Sequence, residues 1–214
     1  MNQRAVAGLA AGIALILGII GAIYIAPPAA DDAQPQYLQQ FPQPRVLTDF
    51  TLTDHHGNTV TQQSLKGQWT LAFLGYTFCP DICPTTMAAL SGAYPKIQQL
   101  DSDVPVKVWF ISVDPNRDTT ERLNEYVSYF NDEFIAVSGE HAEMFPLVRS
   151  MGMMYSMAES TDDPNYLVNH SASVVLINPD AKVIGRFKPV SEPGKLAVAD
   201  VNQILADLPV IVAP

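Results

Sequence analysis

Cys79 and Cys83 are the only cysteines of the chain, and both lie in the stretch GYTFCPDICPTT, residues 75–86. Two sulfurs at this spacing can serve as a structural disulfide, a thiol–disulfide couple or a soft metal clamp. A disulfide here would close a loop of only a few residues. Loop-closure entropy grows with loop length, so such a bridge removes little freedom from the unfolded chain. Reactive or ligating sulfurs are the better account. The thiolate is the active form in either role, and the free N–H groups and dipole at a helix N-terminus stabilise it. Cys83 directly precedes Pro84, which suits the first position of a helix and makes Cys83 its N-cap. If the helix begins earlier, an i,i+4 relation places both sulfurs on one face.

Two thiolates leave a metal under-coordinated, and imidazole is the natural third donor. The four histidines are His55, His56, His141 and His170. His55 and His56 precede Gly57 and Asn58, a turn signal, and read as solvent-exposed turn residues. His141 opens a helical pattern and reads as a surface residue. His170, in YLVNHSASVVLI, stands just before a strongly apolar strand. A loop there can fold over the strand-to-helix turn that carries the cysteines, which makes His170 the candidate third ligand. Soft thiolates with imidazole suit copper or zinc. A closed structural zinc site usually has four ligands, and no further pair is evident, so three donors fit a transferable copper ion better. Met151, Met153, Met154 and Met157 cluster in MGMMYSM. Thioethers bind Cu(I), but methionines at a helix-to-strand junction are more often core filler. Asp81 and Asp114 could tune the site, with Asp114 reading first as the end of a strand and the cap of the next turn. No Ser/His/Asp order, phosphate-cradling glycine loop or paired-carboxylate pattern stands out.

The elements around the cysteines are legible from periodicity. WTLAFLGYT, 69–77, is an apolar run of strand length that leads directly into the cysteine turn, and PTTMAALSGAYPKIQQL follows as a helix. Pro95 is expected to kink or shorten that helix. VPVKVWFISVD, 104–114, is the next buried strand, and DTTERLNEYVSYF is a helix capped by Asp118 or Thr119. FIAVSG is a short strand and AEMFPLVRSMG a helix. SASVVLINPDAKVIGRF is a hairpin turning at NPDA, and PGKLAVADVNQILADL is a closing amphipathic helix. FTLTDHHGNTVTQQSLKG reads as an added hairpin ahead of the first long strand. Strands alternating with helices around one mixed sheet give an α/β fold of thioredoxin-like arrangement with an N-terminal β-hairpin added.

The chain of 214 residues, 48% hydrophobic, can fill a single core. Its formal net charge of -10 and the lack of any Lys/Arg cluster argue against nucleic acid as a partner. From Ala5 to Ala26 there is no charged residue, and these 22 residues would span ~33 Å as a helix, matching a hydrocarbon core. Arg4 precedes the run, and no basic residue follows until Arg45, so the N-terminus is placed in the cytoplasm. A cleaved signal peptide is the rival reading, but its apolar stretch is normally shorter. The expected organisation is a cytoplasmic N-terminus at 1–4, a transmembrane anchor at 5–26 and a flexible Pro/Gln-rich tether at 27–45. A domain at 46–208 and a tail at 209–214 complete it.

GYTFCPDICPTT, SVDPNRDT and YLVNHSASVVLINPD, in this order, resemble the Sco/SenC family of membrane-anchored copper proteins. The resemblance extends over roughly 46–208. It implies a thioredoxin-like fold and one copper ion, Cu(I) or Cu(II), held by Cys79, Cys83 and His170. It also implies a metallochaperone that takes copper from an upstream donor and helps assemble the copper A centre of cytochrome c oxidase subunit II. A chain of this family lacking an Arg/Ser-rich presequence is expected in a bacterial inner membrane, with the domain in the periplasm. The family's pattern often has an aspartate before the histidine, and here Asn169 stands there. Relatives of the fold carry out thiol–disulfide exchange, so the alternative is a reductase of the acceptor's cysteines, with Cys79 and Cys83 as its catalytic pair. Reductases of this fold usually carry a proline before the strand facing the dithiol, whereas VNHSAS has none and offers a ligand instead.

Overall fold

The computed structural model describes residues 2, 8, 11–18, 21, 34–157, 161 and 165–214. The chain divides into two compact units, Met1–Gln34 and Pro35–Pro214. The expected anchor at 5–26 lies largely outside the described residues; within it Gly8, 11–18 and Gly21 are helical. Among the described residues no helix is long and apolar enough to cross a membrane.

In the second unit the elements are, in chain order, β1 (Gln39–Val46), β2 (Leu52–Asp54), β3 (Thr59–Val60), β4 (Trp69–Gly75) and α1 (Ile82–Ile97). Then come β5 (Val106–Ser112), α2 (Thr120–Phe130), β6 (Ile135–Ser138), α3 (His141–Ser150), β7 (Tyr155–Ser156) and β8 (Asn169–His170). β9 (Val174–Ile177), β10 (Lys182–Phe187), β11 (Pro189–Val190), β12 (Val198–Ala199) and α4 (Val201–Val212) follow. Eight strands form one mixed sheet in the order β1-β10-β9-β4-β5-β6-β2-β3. β4, β5 and β6 are parallel, and every residue of β4 from Thr70 to Gly75 is buried. That is why their sequences read as continuous apolar runs rather than alternating ones. β9 runs antiparallel to β4, with Val174 opposite Phe73. The start of β9 therefore lies beside the end of β4, and the segment before β9 reaches the cysteine turn. The architecture is the mixed α/β, thioredoxin-like one expected, with the β2–β3 hairpin added at one edge.

Three boundaries differ from the expected ones. Residues 39–46 are not part of a loose tether: β1 adds to the opposite edge of the sheet through β10. Its mostly exposed side chains hide it from pattern reading, and its register shifts between Gln40 and Arg45, where Pro42 and Pro44 stand. Proline is admitted at such edge positions because it has no N–H to donate. Just upstream, the buried carboxylate of Asp207 on α4 accepts from the backbone N–H groups of Gln36 (2.8 Å), Tyr37 (2.7 Å) and Leu38 (2.7 Å). At the other end, 209–214 is not simply a tail, because α4 continues through Pro209 to Val212, which is 2% exposed. Pro95 does not break α1, which runs two residues beyond it to Ile97.

Candidate metal centre

β4 ends at Gly75, and the chain turns within six residues into α1. The Cys79 N–H donates to the Tyr76 carbonyl (3.1 Å), closing the turn that carries the first sulfur. The helix starts earlier than the Cys83 N-cap reading placed it. Its N-cap is Asp81, so Cys83 is the second helical residue and Pro84 the third. Pro84 is tolerated there because the first-turn N–H groups have no partner within the helix. The carbonyl of Asp81 instead accepts from the Thr85 N–H and the Thr85 hydroxyl.

Both cysteines are free and buried, Cys79 at 8% and Cys83 at 2% exposure. His170, on β8, closes the group: one ligand atom each from Cys79, Cys83 and His170 all lie within 4.8 Å of one another. His170 Nε2 is 3.4 Å from Cys83 Sγ. Its Nδ1 lies 3.2 Å from the Ser171 carbonyl, a contact that orients the ring with Nε2 toward the sulfurs. The Tyr76 ring meets the imidazole edge-on at 5.9 Å between centroids. An open cleft of about 250 Å³, lined in part by Cys79 and His170, connects the group to solvent.

The two sulfurs are electrostatically unequal. A hydrogen bond from the Cys83 side chain pulls the Cys79 thiol down to about 4, against the opposing effect of burial. The His170 side chain and the backbone N–H groups of Cys83 and Asp81 add to that lowering. Cys83 is pushed up because it retains the shared proton, and its deeper burial acts in the same direction. The reduced pair thus carries one proton and one negative charge.

Gly75 is required by the closeness of Phe110 and Cys83. A Cβ there would come within 2.9 Å of Cys83 Sγ and 2.3 Å of Phe110 Cε2. Beneath the turn, the buried Asp118 carboxylate accepts from the Thr77 N–H (3.0 Å), the Thr77 hydroxyl (2.7 Å) and the Ser112 hydroxyl. Burial raises its pKa. Thr119, not Asp118, caps α2, its hydroxyl accepting from the Arg122 N–H. Sequence reading gave Asp118 no role at the cysteine turn, since only the β4–β5 pairing brings it under Thr77.

Of the other candidates, Asp81 is exposed and outside the group, and Asp114 is buried away from it, paired to Arg117 and Tyr166. His55 is a correction: it is 6% exposed, not a solvated turn residue, and its Nδ1 accepts from the Ala136 N–H (3.2 Å). The β2–β6 pairing buries it. His56 is exposed, and His141 Nδ1 lies 2.8 Å from the Tyr155 hydroxyl. Met151 and Met153 are core, whereas Met154 is exposed.

Residues 39–206 match the SCO1/SenC family model. Protein SCO1 homolog 1, mitochondrial, of Arabidopsis thaliana is 38% identical over 135 residues, covering 63% of this chain and 40% of that one. Protein SCO1 homolog, mitochondrial, of Homo sapiens is 31% identical over 150 residues, covering 70% of this chain and 50% of that one. The chain spans about half the length of these relatives. The crystal structure of Arabidopsis thaliana ScoI with copper bound superposes with TM-score 0.63 at 33% identity, covering 76% of this chain and 95% of that one. Bradyrhizobium japonicum ScoI with copper bound gives TM-score 0.60 at 33% identity, covering 74% and 98%. The thioredoxin-like fold, the matched span and the CxxxCP turn with its distant histidine agree, and the chain belongs to the SCO1/SenC family.

Proposed function

We propose that this protein is a copper metallochaperone that carries one copper ion on Cys79, Cys83 and His170 and helps assemble the copper A centre of cytochrome c oxidase. The single observation that carries this reading is the convergence of two sulfurs and one imidazole nitrogen within 4.8 Å. The donor set is soft, and the three donors that converge among the described residues suit Cu(I). Copper-bound relatives of the same fold support the choice of metal. Ligation requires both thiols deprotonated. Cys79 already favours the thiolate, and Cys83 releases its proton as the ion arrives. His170 contributes its Nε2, the ring nitrogen that faces Cys83. The open cleft beside Cys79 lets an acceptor's own soft ligands displace these donors in turn. The acceptor is subunit II of the oxidase, and an upstream donor loads the site. The uncharged run at 5–26 anchors the chain in a bacterial inner membrane, with the domain in the periplasm.

The same pair favours a second reading. A stabilised Cys79 thiolate beside a protonated Cys83 is the arrangement of a dithiol reductant, which would reduce the acceptor's cysteines through a mixed disulfide on Cys79 resolved by Cys83. An anaerobic Cu(I) titration of the reduced full-length chain against a competing chelator separates the two. One tight equivalent, weakened by His170→Ala and by Cys83→Ser, is the expected result. Binding that is absent, or indifferent to His170, would sink the copper reading and leave the reductase.

A further inference from the structure

The loop that carries His170 is fixed at a second point, four residues upstream. Tyr166 is 7% exposed, and its hydroxyl donates to the carboxylate of Asp114, which is fully buried on the loop between β5 and α2. The other oxygen of Asp114 accepts from Arg117 Nε at 2.5 Å. The Arg117 guanidinium carbon lies 3.5 Å from the centre of the Tyr166 ring, 4.8 Å from that of Phe78 and 5.5 Å from that of Tyr76. Tyr76 and Phe78 belong to the turn that ends in Cys79, and the Tyr76 ring touches the imidazole of His170. One buried ion pair with its aromatic neighbours therefore joins three chain segments that are far apart in sequence. These are the cysteine turn, the β5–α2 loop and the histidine loop.

We propose that Tyr166 is a positioning residue for the metal centre, holding His170 against the cysteines through Asp114 and Arg117. The inference rests on the copper reading above. Its physics is that of pre-organisation. A tyrosine whose hydroxyl and ring are both engaged in a water-poor site has one orientation, and the short chain from Tyr166 to His170 inherits it. Burial and the Asp114 carboxylate raise the phenol to about 12, so the hydroxyl remains a donor throughout the physiological range. Arg117 is suited to its place because a planar guanidinium can bond a carboxylate and lie over aromatic faces at once, which an ammonium cannot. Asp114 and Arg117 are thus turn residues recruited to the histidine loop. Their effect on the metal passes through Tyr166 and Tyr76, which they hold by hydrogen bond, ion pair and ring contact.

The test is a double-mutant cycle on the reduced full-length chain, read as Cu(I) affinity by chelator competition. Its members are the wild type, Tyr166→Phe, His170→Ala and the double variant. Tyr166→Phe keeps the ring over Arg117 and removes only the hydroxyl. It is expected to weaken Cu(I) about tenfold when His170 is present and to add nothing when His170 is alanine. X-ray absorption at the copper edge should show reduced imidazole scattering in Tyr166→Phe, a signature that a merely structural role would not change. Unchanged affinity in Tyr166→Phe, or an equal loss in the His170→Ala background, overturns the proposal. Should Tyr166→Phe fail to fold, Arg117→Lys takes its place in the same cycle with the same two outcomes. A wild type that binds no Cu(I), or a His170→Ala variant that binds it undiminished, fails the copper reading itself and this proposal with it. A His170-dependent site indifferent to Tyr166 fails this proposal alone.

Discussion

His170 Nε2 sits 3.4 Å from Cys83 Sγ although 87 residues separate the two in sequence. The antiparallel pairing of β9 with β4 makes the contact, since it brings the segment before Val174 to the end of the strand that leads into the cysteines. Cys83 is also the more buried and the more firmly protonated sulfur. The imidazole therefore faces the thiol that must lose its proton for both sulfurs to ligate.

The inequality of the sulfurs predicts their alkylation. Cys79, with its thiol held down near 4, is thiolate across the neutral range, while Cys83 stays protonated and sheltered. Iodoacetamide should modify Cys79 first, and the rate should be nearly flat from about pH 6 to pH 8, falling only as the pH drops through the lowered value. Peptide mapping after short pulses at several pH values checks this. A rate that climbs tenfold per pH unit through that range would show an ordinary thiol instead.

Gly75 gives a steric prediction. Alanine at this position must displace Cys83 Sγ or the Phe110 ring, which a Cβ would approach to 2.9 Å and 2.3 Å. Phe110 is fully buried, so it has little room to yield. Gly75→Ala should lower stability by about 1–3 kcal/mol and weaken Cu(I) binding as well. Denaturant melts and the chelator titration measure the two effects. Full stability with wild-type affinity would mean the turn relaxes freely.

Much of this architecture was legible in the sequence, for physical reasons that also explain what was not. WTLAFLG and VKVWFIS announce themselves because both faces of β4 and β5 are covered. The CxxxCP turn fell where a buried strand hands over to a helix, and its partner His170 stood before the next apolar run. Local signals failed where tertiary pairing overrode them. HHGN is a turn by composition, yet pairing with β6 buries His55. QQFPQPRV carries two prolines and few buried side chains, yet its backbone pairs with β10. Asp114, Arg117, Asp118 and Tyr166 showed no periodic signal at all. They belong to loops, and only the sheet's strand order brings those loops to the cysteine turn.

Asp118 supports the turn from below, and its removal should be felt as a fold effect. Asp118→Ala strands the Thr77 N–H, the Thr77 hydroxyl and the Ser112 hydroxyl without their shared acceptor. A buried donor left unsatisfied costs about 1–3 kcal/mol, and the three share one site, so their losses overlap. A total of about 3 kcal/mol is expected in urea unfolding. A loss under 0.5 kcal/mol, within the range of ordinary surface substitutions, would show that water takes over these bonds.

Asp207 separates the stability of the domain's entry point from the metal chemistry. Its carboxylate alone accepts the three consecutive N–H groups of Gln36, Tyr37 and Leu38, and it does so from α4, on elements that include none of the three ligands. Asp207→Asn keeps the shape but turns one acceptor oxygen into a donor that faces other donors. The variant should lose about 2 kcal/mol, because hydrogen bonds to a charged group are worth more than neutral ones. Amide hydrogen exchange at 36–38 should accelerate, with β1 following if its pairing with β10 depends on the clamp. Cu(I) affinity should stay at the wild-type value. Slow exchange at 36–38 in the variant would mean that β1 alone holds the entry segment. A parallel loss of copper would mean that the clamp reaches the metal centre through the sheet.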